Sequence, residues 1–177
     1  PRPIYRIGVP EVIQLSATSG CSTGLAVLEG GTIRILYHRF AADLAEPDHK
    51  AGEMIPLHCS AAGKAIFASL SSTQQERLLE EYHFEGGTDA AHTTVSTLKT
   101  EAEMIQREGV AVDRQEWRPN QAGLAASINL DEATQPAAIY LQTNAEDIGG
   151  KRFQQDLPGL LISSANQIRT TLREASN

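Results

Sequence analysis

The sequence predicts an α+β fold, an antiparallel sheet flanked by helices, on three observations. Its β-rich runs pair up across tight turns, its helical runs fall between those pairs, and the chain closes on a long amphipathic segment. The order reads helix, hairpin, helices, strand, hairpin, helix. A doubly wound parallel sheet would need a crossover after each strand, whereas hairpins pair antiparallel.

Each element has a local reason. Pro1 to Val9 reads as irregular, and a short amphipathic helix is expected from Pro10, with Val12, Ile13 and Leu15 apolar and Gly20 as its stop. Thr23–Glu29 and Thr32–Phe40 are expected strands joined by Gly30-Gly31, a pair that tolerates the positive φ of tight hairpin turns. Strict alternation in the second strand puts Ile33, Ile35 and Tyr37 on one face and Leu36 on the other, so both faces should be covered. Ala41 to Met54 is read as a loop and a candidate lid. Ser60 is the expected N-cap of a helix over Ala61–Leu70, and Thr73 and Glu76 have the spacing of a capping box for a second helix ending near Tyr82. A third helix, Leu98–Glu108, should stop at Gly109. Strands are expected at Val110–Asp113, Leu124–Leu130 and Ala137–Thr143, with the turn DEATQ between the last two. The terminal helix carries Leu161, Ala165, Ile168 and Leu172 on one stripe.

The chain has 177 residues, 41% hydrophobic and 21% charged, with no linker-like or repeated segment, so residues 1–177 read as one soluble globular domain. No run approaches the ~18 apolar residues of a membrane span. Fifteen Lys and Arg against 22 Asp and Glu give a formal charge of -7. The basic residues are scattered, which excludes the concentrated positive face of a duplex-binding domain. Cys21 and Cys59 have no CxxC spacing, so neither a disulfide framework nor a zinc ribbon is suggested, and a reducing cytoplasm is the simplest setting. Opening on Pro1, the sequence reads as a piece of a longer or processed chain.

Few residue patterns carry chemistry. Ala62-Gly63-Lys64-Ala65 fails as a phosphate-binding loop, because His58 stands where the first glycine is required and Ala65 where Ser or Thr is required. What remains is a helix start of small residues, whose free N–H groups and dipole favour an anion, or else tight packing of helix on sheet. His58 and Cys59 could form a base–nucleophile pair, but neighbours in an extended segment point to opposite faces, which favours a packed His and a buried Cys. The five histidines show no i,i+4 pair and no HExxH, so no local metal motif is present and only a site assembled across loops is left open. Asp113 ends an apolar run and can accept a ligand hydroxyl proton or cap a turn. Tyr140 and Gln142, two apart in a strand, share a face; turned inward, they call for a ligand or a hydrogen-bond network. Trp117, the only tryptophan, is a candidate to shield one end of a pocket.

Three ordered blocks resemble one family. PLHCSAAGKAIFA (Pro56–Ala68) is similar to the PLH-x-[ST]-A-x-GKA-LLA signature in the effector-binding domain of IclR-type transcriptional regulators. REGVAVDRQEWRPNQAGLAASI (Arg107–Ile128) resembles that family's RxGYAxDxEE…G…CxAAPI stretch, and TGLAVLEGGTIRILYHRF its LAVLEGxxVxYLxR hairpin. The similarity runs from about Glu11 to Leu172. It implies a GAF-like sensor fold, a small-molecule effector (an organic acid, sugar acid or aromatic compound), a homodimer or tetramer, and contact with DNA only through an N-terminal winged helix-turn-helix that this chain lacks. It implies no catalysis, cofactor or metal. Carried over by position, the pocket would use Ala61, Ala62 and Gly63 at the helix start, and Asp113. The family's pocket cysteine falls on Gly123, and its two strand serines on Tyr140 and Gln142. These three departures point away from a glyoxylate- or pyruvate-sized effector, toward one with a carboxylate at the helix start and a flat or multi-polar body near Tyr140. They equally allow a dimerisation module with a vestigial pocket. An enzyme of this fold using Cys59 is the third reading, and it requires a reactive thiol.

Overall fold

A computed structural model describes residues 2–41, 50–131 and 134–177. Among them, six strands form one antiparallel sheet in the order β3-β2-β1-β6-β5-β4: β1 is Ser22–Glu29, β2 Thr32–Arg39, β3 Met54–Ile55, β4 Ala111–Arg114, β5 Gln121–Ser127 and β6 Ala137–Asn144. Helices α1 (Pro3–Ser19) and α5 (Leu157–Ser176) cover one face. Helices α2 (Ala61–Ser69) and α4 (Val95–Glu108) cover the other, with α3 (Ser72–Leu79) following α2. This is the α+β, GAF-like architecture that the hairpin pattern and the resemblance led us to expect.

Alternation along β1 shows why the sheet is buried twice. Ala26 faces Ile66 and Phe67 of α2 and Leu98 of α4, while Leu25 and Val27 face Val12 of α1 and Leu161 and Ile168 of α5. All of these are at most 1% exposed, so β1, with strands on both sides and helices on both faces, reads as a continuous apolar run. The terminal helix buries the expected stripe at Leu161, Ala165 and Ile168, with Leu172 partly covered.

Three expectations are corrected. Helix α1 begins at Pro3, not Pro10, and runs through Pro10. Pro3 suits the first turn, and Ile4 and Ile7 pack on the α1–α5 side of the sheet. Gly8 brings the helix onto β1, since a Cβ there would lie 2.8 Å from Leu25 Cδ2. That burial outweighs the hydrogen bond lost at Pro10. The capping box of α3 is Ser71 with Gln74, two residues earlier than Thr73 with Glu76. Met54, the last residue of the segment read as a loop, pairs with β2 together with Ile55 as a short edge strand. Residues 42–49 of the candidate lid, and 132–133 of the DEATQ turn, lie outside the described residues.

A fourth correction matters for the site. Leu25 pairs with Tyr37 but Ala26 with Ile35, so Leu36 is an extra residue, a β-bulge. From that point the faces exchange: Tyr37 joins Leu36 against the α1–α5 core instead of following Ile33 and Ile35. His38 is thereby turned to the α2 side.

Candidate functional site

Two transverse rows of the sheet form the floor under the start of α2. In one, Asp113 pairs with Gly123 and Gly123 with Gln142. In the other, His38 pairs with Gly24 and Gly24 with Tyr140. Each row has a glycine between two functional side chains. A Cβ at Gly24 would lie 2.1 Å from the Tyr140 hydroxyl, and one at Gly123 would meet the Ala61 Cβ at 3.7 Å and the Leu141 carbonyl at 3.1 Å.

Above the floor, Ser60 caps α2. Its Oγ accepts from the Gly63 N–H (3.0 Å) and donates to the Pro56 carbonyl (2.8 Å), while the Lys64 N–H reaches the Ser60 carbonyl at 3.0 Å. Of the first-turn amides that a helix cannot satisfy internally, those of Ala61 and Ala62 therefore belong to residues on the cavity wall. A small, partly open cavity is lined by Ser60, Ala61, Ala62, Asp113, Trp117, Gly123, Tyr140 and Gln142, with Ile55 and Leu141. Six of the seven expected site residues thus converge. The seventh, Gly63, lies off the cavity, packed on the backbone of Leu57, where a Cβ would come within 2.3 Å of the carbonyl oxygen. Tyr140 and Gln142 do turn inward, at 5% and 6% exposure.

Asp113 is also buried, and burial pushes its carboxyl up to about 6 against the pull of the Glu116 and Trp117 backbone amides. Its Oδ1 accepts from the Glu116 N–H at 2.8 Å. Around pH 6 both forms of this group are populated, so it can donate a hydrogen bond as well as accept one, which widens the acceptor role expected from the sequence. Gln142 Nε2 donates to Gln121 Oε1 (3.3 Å). Trp117 closes one end under the guanidinium of Arg118, which stands 5.4 Å from the ring and donates to Glu53 Oε1 at 3.2 Å. The cavity measures about 20 Å³, room for roughly one water. A much larger open cleft, about 840 Å³, lies between the β1–β2 hairpin and α3 and contains none of the expected residues.

Sequence reasoning missed the network beside the cavity. Lys64, fully buried, donates to Glu101 Oε1 (2.7 Å), the Val112 carbonyl (2.6 Å) and both oxygens of Glu116 (2.8 and 2.9 Å). Glu101 also meets His92 Nε2. Burial would raise the Glu101 carboxyl, but Lys64 and His92 hold it below its usual range. His92, Glu101 and Glu116 are close enough to share a metal ion, yet the Lys64 ammonium already supplies the cation between the two carboxylates. A lysine inside the apolar run AAGKAIFA was the available signal.

His58 and Cys59 do not form a catalytic pair. His58 Nδ1 bonds the Tyr82 hydroxyl at 2.6 Å. Burial, aided by the negative charges of Asp113 and Glu116, pushes the Cys59 thiol up to about 12, so it stays protonated and inert at neutral pH.

With this arrangement goes a clear membership: residues 2–170 match the family of the bacterial transcriptional regulator IclR C-terminal domain, and the chain belongs to it. Among curated relatives, the HTH-type transcriptional regulator BhcR of Paracoccus denitrificans is 28% identical over 129 residues, covering 73% of this chain and 46% of that protein. The chain spans about half to two thirds of the length of the curated relatives it matches. The crystal structure of Thermotoga maritima IclR superposes with a TM-score of 0.89 at 19% identity, covering 96% of this chain and 68% of that one. An IclR homolog from Microbacterium hydrocarbonoxydans, complexed with 4-hydroxybenzoate, gives 0.82 at 19% identity, covering 97% and 68%. The family and these relatives are transcriptional regulators, not enzymes, and this chain matches their C-terminal domain. Among the described residues no helix is long and apolar enough to cross a membrane.

Proposed function

We propose that this domain senses a small organic acid, an aromatic acid being the favoured class, and relays its binding through a homodimer or tetramer to a winged helix-turn-helix elsewhere in the full regulator. The convergence of Ala61, Ala62, Asp113, Gly123, Tyr140 and Gln142 on one small cavity carries this reading. The ligand carboxylate sits at the start of α2, where the amides of Ala61 and Ala62 and the helix dipole favour an anion. Asp113, ready to hold a proton, shares a hydrogen bond with it. The ligand's body lies over Gly123 toward Tyr140, and Gln142 supplies a polar side contact. The 4-hydroxybenzoate complex of the Microbacterium homolog supports the aromatic class.

A thermal-shift panel of small carboxylic, sugar and aromatic acids tests it. A ligand binding only the folded domain adds about 2.7 kcal/mol at a hundredfold excess over Kd, a shift of several degrees. One chemical class should give that shift, and Asp113→Ala should lose it. The small cavity favours one competing reading, an oligomerisation module whose pocket is silent. A panel without any shift at millimolar ligand would establish that reading instead.

A further inference from the structure

We infer that Tyr140 is a built-in plug in the effector site, latched by His38, and that effectors bind by displacing its phenol. The inference rests on the effector-site reading above. A cavity that holds a benzene-sized ring measures about 150 Å³. The free space here is about 20 Å³, so an aromatic acid cannot be added to this site; its ring has to replace something. Tyr140 is the aromatic side chain of the floor itself. Its hydroxyl is 2.8 Å from His38 Nδ1, the two rings stack at 5.8 Å with 22° between planes, and the phenol lies across Gly24, where no side chain could fit.

Three local features build this latch. The bulge at Leu36 turns His38 to this face, Gly24 leaves the gap between β2 and β6, and the register places His38, Gly24 and Tyr140 in one row. The plug also defines the ligand it prefers. A phenolic acid reproduces what it displaces, a ring over Gly24 and a hydroxyl on His38 Nδ1. An unhydroxylated acid leaves the imidazole without that bond, and a site built to bond a hydroxyl discriminates against the analogue lacking it. His38 and Tyr140 are thus specificity-determining residues.

Calorimetric titration with 4-hydroxybenzoate and benzoate tests this on the wild-type domain, Tyr140→Ala and Tyr140→Phe. Emptying the seat in Tyr140→Ala should tighten both acids about tenfold or more, since the competent state no longer has to be uncovered. The hydroxylated acid should stay preferred, because His38 remains. Tyr140→Phe keeps the ring but removes the latching hydroxyl, and should tighten 4-hydroxybenzoate about fivefold; it carries the test if Tyr140→Ala does not fold. Affinities in both variants no better than wild type would overturn the plug, and equal binding of the two acids to Tyr140→Ala would overturn the role of His38. If neither acid binds any of the three proteins while another acid stabilises the wild type, the plug fails and the effector reading stands. If no acid stabilises any of them, both fail.

Discussion

Asp113 concentrates the chemistry of the site in one carboxyl. Its value rises from 3.8 to about 6 because burial disfavours the charge, with Glu116 adding to the rise and Lys64 opposing it. The folded state therefore favours the protonated form. That contribution is full below about pH 4 and is lost as pH rises through 6, a swing of about 3 kcal/mol for a shift of this size. Glu101, held low by Lys64 and His92, acts in the opposite sense: its contribution is present above its unfolded value and is lost in acid. Comparing wild type with Asp113→Asn isolates the first effect. Urea unfolding at pH 4 and pH 7 should show wild type losing roughly 2 kcal/mol relative to the variant, and parallel behaviour of the two would refute the assignment. Tyr140 and Gln142 were legible as a pair because strand periodicity fixes which side chains share a face, while their place with Asp113 in one pocket came from the family resemblance. His38 was not, because one inserted residue at Leu36 reverses that parity and nothing local announces it.

At the scale of elements, most caps were readable, that of α3 was misplaced, and the packing was not readable. Ser60, Gly20 and Gly109 all end or start helices as their chemistry requires. The start of α1 was hidden because a proline reads as a boundary, while the reason to continue past it lies in contacts with β1 and α5. The same limit concealed Lys64, whose partners come from α4 and from the turn after β4. That ammonium ties α2 to both, and through Glu116, whose amide bonds Asp113, it fixes the wall of the cavity. Lys64→Met should leave two carboxylates without their cation. Urea denaturation is expected to show a loss of about 3 kcal/mol or more, partly recovered by adding Glu116→Gln. A loss under about 1 kcal/mol would mean that the carboxylates find other partners.

For the whole molecule, the sheet is a partition. Its α1–α5 side is filled mainly with apolar side chains, whereas its α2–α4 side holds the cavity, the buried lysine network and the His38–Tyr140 pair. Polar function is confined to one face, under one helix start. The hairpin order was enough to anticipate this architecture, and three motif blocks were enough to anticipate the family. The closed state of the cavity depends on how large side chains pack across three strands, which no single block encodes.

The most direct measurement of the central claim is amide NMR of the labelled domain during titration with the best acid from the panel. The account predicts saturable shifts at Ala61, Ala62, Asp113, Gly123, Tyr140 and Gln142, with His38 responding as the phenol leaves. Shifts confined to the open cleft beside α3, at residues such as Arg77, Tyr82 and Gly31, would place the ligand elsewhere and contradict it.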